Sequence, residues 1–84
     1  MSTSKLVPSA AALGRAIRDA RRALGLSQTE LGSRTGLTQV GLSRLERSTG
    51  RAQVDTLLRV LAVLHLELTV QPVPERLPAA PWET

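Results

Sequence analysis

The chain has 84 residues, a net charge of +4, no cysteine, no phenylalanine or tyrosine and a single tryptophan. That suffices for one small domain whose core must come from leucine, isoleucine, valine and alanine, and it excludes disulfides and thiolate metal sites. No apolar run reaches the roughly 20 residues that span a bilayer, and no secretory h-region opens the chain, so a soluble cytoplasmic protein is expected.

Residues 1–8 mix Ser, Thr and Lys without periodicity, with Lys5 the one charge, and 1–9 is expected to be a disordered arm. Ser9 is a suitable N-cap for a first helix over 10–24, whose inward face is Leu13, Ile17, Ala20 and Leu24 at steps of four, three and four. Arg15, Asp19 and Arg22 fall away from that face, and Gly25 closes the helix.

Residues 27–47 organise the rest. Ser27 and Glu30 stand in the spacing of a capping box, with Leu26 placed as its hydrophobic staple. Leu31 sets the buried face of a second helix to about Thr35, and Gly36 supplies a left-handed turn without a Cβ penalty. Leu37 follows as a plug, and Thr38 can cap a third helix with Leu42 and Leu45 inward. Gly32 is small where two steeply crossing helices need close backbones. Large leucines at 31, 37, 42 and 45 with glycine at 32 and 36 form the pattern of a helix-turn-helix.

A loop over 48–51 leads to a fourth helix from 53 to about 64, with Val54, Leu57, Leu58, Leu61 and Leu64 inward. Its start is poorly capped, and Asp55 compensates in part through the helix dipole. The period then changes to two. Leu66, Leu68 and Val70 lie on one side of a strand over 65–71 that Pro72 stops. A lone strand cannot satisfy its own backbone, so the economical partner is the same strand of a second copy, in a two-fold homodimer; the alternative is a loose extended tail. Residues 72–84 hold four of the five prolines and are expected to be a flexible tail. Trp82, the only aromatic residue, is either tolerated there or a partner-binding anchor. The domain proper is thus 10–71.

Charge follows the motif. Between positions 13 and 51 eight arginines face Asp19, Glu30 and Glu46, whereas from 52 onward acids outnumber bases by two. The alternative is a solvated basic face, but coincidence with the helix-turn-helix favours a surface that meets phosphates. The second motif helix lies in the major groove with its N-terminal residues at base edges, which here are Thr38, Gln39, Val40, Ser43 and Arg44. Gln39 can bond adenine bidentately, Val40 can meet a thymine methyl, and Arg44 suits guanine or a phosphate. Ser27 and Gln28 open the first motif helix, where N–H groups and the dipole favour phosphate, and Arg47 and Arg51 suit further backbone contacts. Glu46 would repel phosphate unless paired; Arg21 is the first choice of partner and Arg18 the second. Gly41 weakens the reading helix by up to about 1 kcal/mol relative to Ala, and close approach to DNA would compensate.

Enzyme chemistry finds no constellation. His65 is a lone histidine, and there is no nucleophile–base pair, paired-carboxylate site, phosphate-cradling loop or metal cluster, so neither catalysis nor a cofactor is expected.

Ile17-Arg18, Arg21, Gly25-Leu26-Ser27-Gln28, Glu30-Leu31, Gly36, Gln39, Leu42-Ser43 and Leu45-Glu46 together resemble the Cro/C1-type (XRE) helix-turn-helix family over roughly 13–64. The resemblance implies a mainly α, four-to-five-helix domain in which Gln28 contacts phosphate, Gln39 contacts bases and Arg21 pairs with Glu46. The fourth helix followed by residues 66–70 and a short tail with Trp82 looks like HipB-type antitoxins. That likeness implies a dimer with one C-terminal β-strand pairing across it. It further implies binding to the palindromic half-sites of a double-stranded operator, repression of its own operon, and a HipA-like Ser/Thr kinase toxin as partner; Trp82 on the tail is the candidate toxin contact, with the helical body or an indirect effect as alternatives. Gly41, Val40 and a reading helix that starts without a basic residue depart from the pattern. The alternatives are a stand-alone repressor of phage or metabolic type without a toxin, and a bridging protein that uses the bundle for docking.

Overall fold

A computed structural model describes residues 6–72, which form four helices: α1 (Ala10–Ala23), α2 (Gln28–Thr35), α3 (Gln39–Arg47) and α4 (Val54–Val63). Three of the four starts are fixed by a side-chain cap. Ser9 Oγ accepts from the Ala12 N–H, and Thr38 Oγ1 accepts from that of Gly41. At α2 the capping box is complete: Ser27 Oγ accepts from the Glu30 N–H at 3.0 Å, and Glu30 Oε1 from the Ser27 N–H at 3.1 Å. Only α4 lacks a side-chain cap.

The ends follow the same logic. Gly25, at φ 71°, lets the Leu26 N–H reach the Arg21 carbonyl and its own N–H reach that of Arg22, a Schellman closure. Gly36, at φ 77°, turns α2 so that Leu37 drops toward the core. The third closure uses a residue that the alternating pattern placed at the start of a strand. His65 adopts φ 60° after α4, with its N–H on the Ala62 carbonyl and the Leu66 N–H on that of Leu61.

Ile17, Leu31, Leu42 and Val60 are fully buried, and Leu45, Leu61 and Leu64 complete the core. α3 is central: α1 packs on one flank, while α2 packs on α3 and on α4. Gly14 and Gly32 permit this closeness. A Cβ on Gly14 would lie 2.6 Å from the Glu46 carbonyl oxygen, and one on Gly32 would lie 2.5 Å from that of Leu37. Two polar ties finish the assembly. Thr49 donates through both its N–H and Oγ1 to the Ala10 carbonyl, fixing the α3–α4 loop to the start of α1. Arg59 Nη1 donates to the Thr35 carbonyl at 3.1 Å, tying α4 to the end of α2.

The structure corrects three expected inward positions. Leu24 is exposed, because the Schellman turn rotates it off the apolar face. On α4, Val54 (64% exposed) and Leu58 (42%) point outward, while Val60 is the fully buried residue. The fold buries the stripe Leu57–Val60–Leu61–Leu64, offset from the expected one, because only α2 covers this helix extensively. The fold is four-helical, and no strand is present among the described residues. Residues 66–70 have no ladder partner among the described residues. The rest of the expected tail, with Trp82, and positions 1–5 of the expected arm lie outside the described residues.

Candidate nucleic-acid interface

The site begins with a buried ion pair. Arg21 Nε donates to Glu46 Oε2 at 2.6 Å and Arg21 Nη2 to Oε1 at 3.0 Å, a two-point guanidinium–carboxylate match with both residues under a tenth exposed. The remaining arm, Nη1, donates to the Leu26 carbonyl at 2.8 Å. One guanidinium therefore holds α1, the end of α3 and the segment leading into α2. Glu46 Oε1 also accepts from Gln28 Nε2 at 3.2 Å. A carboxylate can only accept, which fixes the sense of the Gln28 amide. No buried side-chain polar atom is left without a partner among the described residues.

Above this network lies a cleft of about 440 Å³ lined by α1 and by the two helices of the motif, α2 and α3. α2 and its cap contribute Ser27, Gln28 and Thr29; α3 contributes Gln39, Ser43, Glu46 and Arg47; α1 contributes Arg18, Arg21 and Arg22. The capping box occupies the Ser27 and Glu30 N–H groups, while those of Gln28 and Thr29 have no protein partner among the described residues. The helix dipole adds partial positive charge at the same point.

Gln39, Ser43 and Arg47 recur every fourth residue and face this cleft. Arg44 and Arg51 lie on the other flank of α3, around a second groove of about 540 Å³ floored by Leu37 and Leu45. Val40 projects between the two, 60% exposed. Gln39, Val40 and Ser43 thus form a ridge on the first turns of α3, with Ser27, Gln28 and Arg47 in the groove on one side and Arg44 and Arg51 around the groove on the other. Thr38 sits at the start of the ridge with its Oγ1 engaged in the cap, which leaves its hydroxyl hydrogen available. Gly41 is half-buried, and an added Cβ would meet only the Thr38 Oγ1, at 3.2 Å.

Sequence reasoning missed Arg18 and Arg22 as cleft residues. Spacing puts positions 18 and 22 on the side of α1 that carries Arg21, but the crossing that turns this side to the cleft is not written there. It also missed the Gln28–Glu46 bond, which depends on a crossing angle that periodicity does not specify. Among the described residues no cluster of three metal-ligating side chains occurs, and no helix is long and apolar enough to cross a membrane.

Comparison with known proteins agrees with this geometry. The helix-turn-helix family HTH_3 matches residues 17–71. An uncharacterized HTH-type transcriptional regulator, y4dL, of Sinorhizobium fredii is 41% identical over 56 residues, which is 67% of this chain and 29% of that protein. The chain therefore spans under a third of the curated relative it matches. Among solved structures, a HipB variant in complex with an O2 20mer superposes with a TM-score of 0.74 at 26% identity, over 87% of this chain and 100% of that one. A chain of a HipA-HipB-O2-O3 complex gives 0.71 at 23% over the same shares, a likeness that carries the fold.

Proposed function

The chain belongs to the Cro/C1-type helix-turn-helix family and is a DNA-binding regulator built like HipB; from that premise we propose that it is the antitoxin and autorepressor of a toxin–antitoxin pair. In this reading it binds a palindromic operator as a homodimer and neutralises a HipA-like Ser/Thr kinase. Thr38, Gln39, Val40, Ser43 and Arg44 meet base edges, and Ser27, Gln28, Arg47 and Arg51 hold the flanking phosphates.

The observation that carries the reading is the match to the whole length of a HipB chain in complex with a 20mer. The exposed apolar residues of the C-terminal segment support the dimer. Leu66, Leu68 and Val70 alternate along an unpaired stretch, and Val54 and Leu58 present a second apolar stripe on α4. A second copy would pair the former as a two-stranded ladder and bury the latter in part. Partner binding is assigned to the tail with Trp82, after the pattern of an aromatic interface anchor.

The test is recovery of the tagged protein from its host, intact and truncated after Pro72. A stoichiometric kinase lost on truncation supports the antitoxin and its tail. A kinase kept by both forms moves the contact to the helical body. Operator DNA recovered without a protein partner overturns the antitoxin reading in favour of a stand-alone repressor.

A further inference from the structure

We propose that α1 is itself a DNA-contacting helix, with Arg18 and Arg22 forming a wall that holds the sugar–phosphate backbone in the cleft at the start of α2. This rests on the DNA-binding reading and adds residues that the helix-turn-helix itself does not carry.

Three observations converge. Arg18 and Arg22 are one turn apart, roughly 6 Å along one side of α1. Both are exposed, and both line the cleft into which Ser27 and Gln28 open. Neither serves the fold, since among the described residues neither donates a side-chain hydrogen bond, and the one ion pair within 4 Å is Arg21–Glu46. Glu46, the one acid of the cleft, already accepts from Arg21 twice and from Gln28. It therefore makes no call on further cations.

Arg18, Arg22 and Arg47 thus gather around a single cleft beside two unpartnered helix-start N–H groups. Three like charges so placed repel one another until an anion enters. Guanidinium forks match phosphate oxygens two at a time, and the contact is indifferent to sequence. The expected consequence is salt-dependent affinity without base discrimination. Arg15 is the internal comparison: the same residue type, on the same helix, exposed, but outside the cleft.

The experiment measures binding to a mixed-sequence duplex of roughly 20 base pairs, about two helical turns, against salt concentration. Arg18→Ala and Arg22→Ala are each expected to flatten the slope of log K against log salt by about 0.9 and to weaken binding roughly five- to tenfold near 0.1 M salt. Arg15→Ala is expected to leave the slope unchanged. On the best duplex that the wild type selects from a randomised pool, the ratio of affinity to single-base variants is expected to stay the same in Arg18→Ala and to fall in Gln39→Ala. Unchanged slopes for Arg18→Ala and Arg22→Ala beside a reduced slope for Arg47→Ala would overturn the role of α1 and leave the DNA-binding reading standing. An equal loss in Arg15→Ala would also overturn it, as a general charge effect. Absence of salt-dependent binding by the wild type would remove both.

Discussion

Gln28 donates its side-chain amide to Glu46, 18 residues away, at 3.2 Å, on the same carboxylate oxygen that Arg21 Nη2 reaches at 3.0 Å. A residue assigned to phosphate is thus oriented by the ion pair that clamps α1 to α3. Removing Glu46 leaves a buried guanidinium without its counter-charge, so Glu46→Ala is expected to destabilise by about 3–5 kcal/mol. Total stability for a domain this size is about 5–10 kcal/mol. Gln28→Ala breaks only the outer bond and is expected to leave urea unfolding nearly unchanged while weakening DNA binding. A Gln28→Ala midpoint shifted as far as that of Glu46→Ala would contradict this division.

Gly14 is a packing requirement of the same joint. A methyl there would strike the backbone carbonyls of Glu46 and Leu45, at 2.6 and 2.7 Å, and backbone cannot step aside like a side-chain tip. Although alanine favours a helix, Gly14→Ala is expected to lose about 1–3 kcal/mol through forced separation of α1 from α3. Thermal unfolding reads this directly; a rise in Tm would mean that α1 and α3 are less close than described.

Gly41 offers the opposite case. Space inside the protein nearly admits a methyl there, with contact only to the Thr38 Oγ1. Gly41→Ala is therefore expected to shift Tm by no more than a few degrees, corresponding to about 1 kcal/mol or less. If the glycine serves close approach to DNA, affinity falls while the fold holds. Operator affinity and specificity equal to wild type would end that explanation.

Acid sensitivity has a local origin at the capping box. The Ser27 N–H, and then its hydroxyl, hold the Glu30 carboxyl below its ordinary value of 4.5. A depressed folded-state pKa contributes stability that is complete above the ordinary carboxylate range and is lost as pH falls through the lowered value. Gln retains the capping geometry without titrating. Glu30→Gln is expected to flatten this part of the pH dependence of stability below about pH 4.5. Identical acid limbs for the two proteins would place the sensitivity elsewhere.

Leu68 is exposed in the single chain, outside the core formed by the four helices. Leu68→Asp is therefore expected to leave helical content and Tm of the isolated fold intact while abolishing the dimer, with much weaker operator binding because two half-sites are no longer bridged. Light scattering decides: an unchanged dimer would refute pairing through 66–70.

The local devices were legible in the sequence. The caps at Ser9, Ser27 and Thr38 and the left-handed turns at Gly25 and Gly36 depend on residues within a few positions of one another. Their hydrogen bonds close inside one turn of backbone, so residue type and spacing suffice. The inward residues of the motif, Leu31, Leu42 and Leu45, were legible for the same reason, because 3.6-residue periodicity places them on one side of short helices.

Tertiary structure decided what depended on how helices meet. Both Leu58 and Val60 are apolar, and periodicity alone could not say which side of α4 would be covered; packing against α2 left Leu58 outside and buried Val60. The sharing of Glu46 between Arg21 and Gln28, the placement of Arg18 and Arg22 on the cleft, and the tie from Thr49 to Ala10 all join residues distant along the chain. Spacing along one helix carries no information about the angle at which it crosses another. The segment 66–70 marks the remaining boundary. Its alternation is written in the sequence, but a strand becomes one only when its N–H and C=O groups find a second backbone, and four helices folded together supply none.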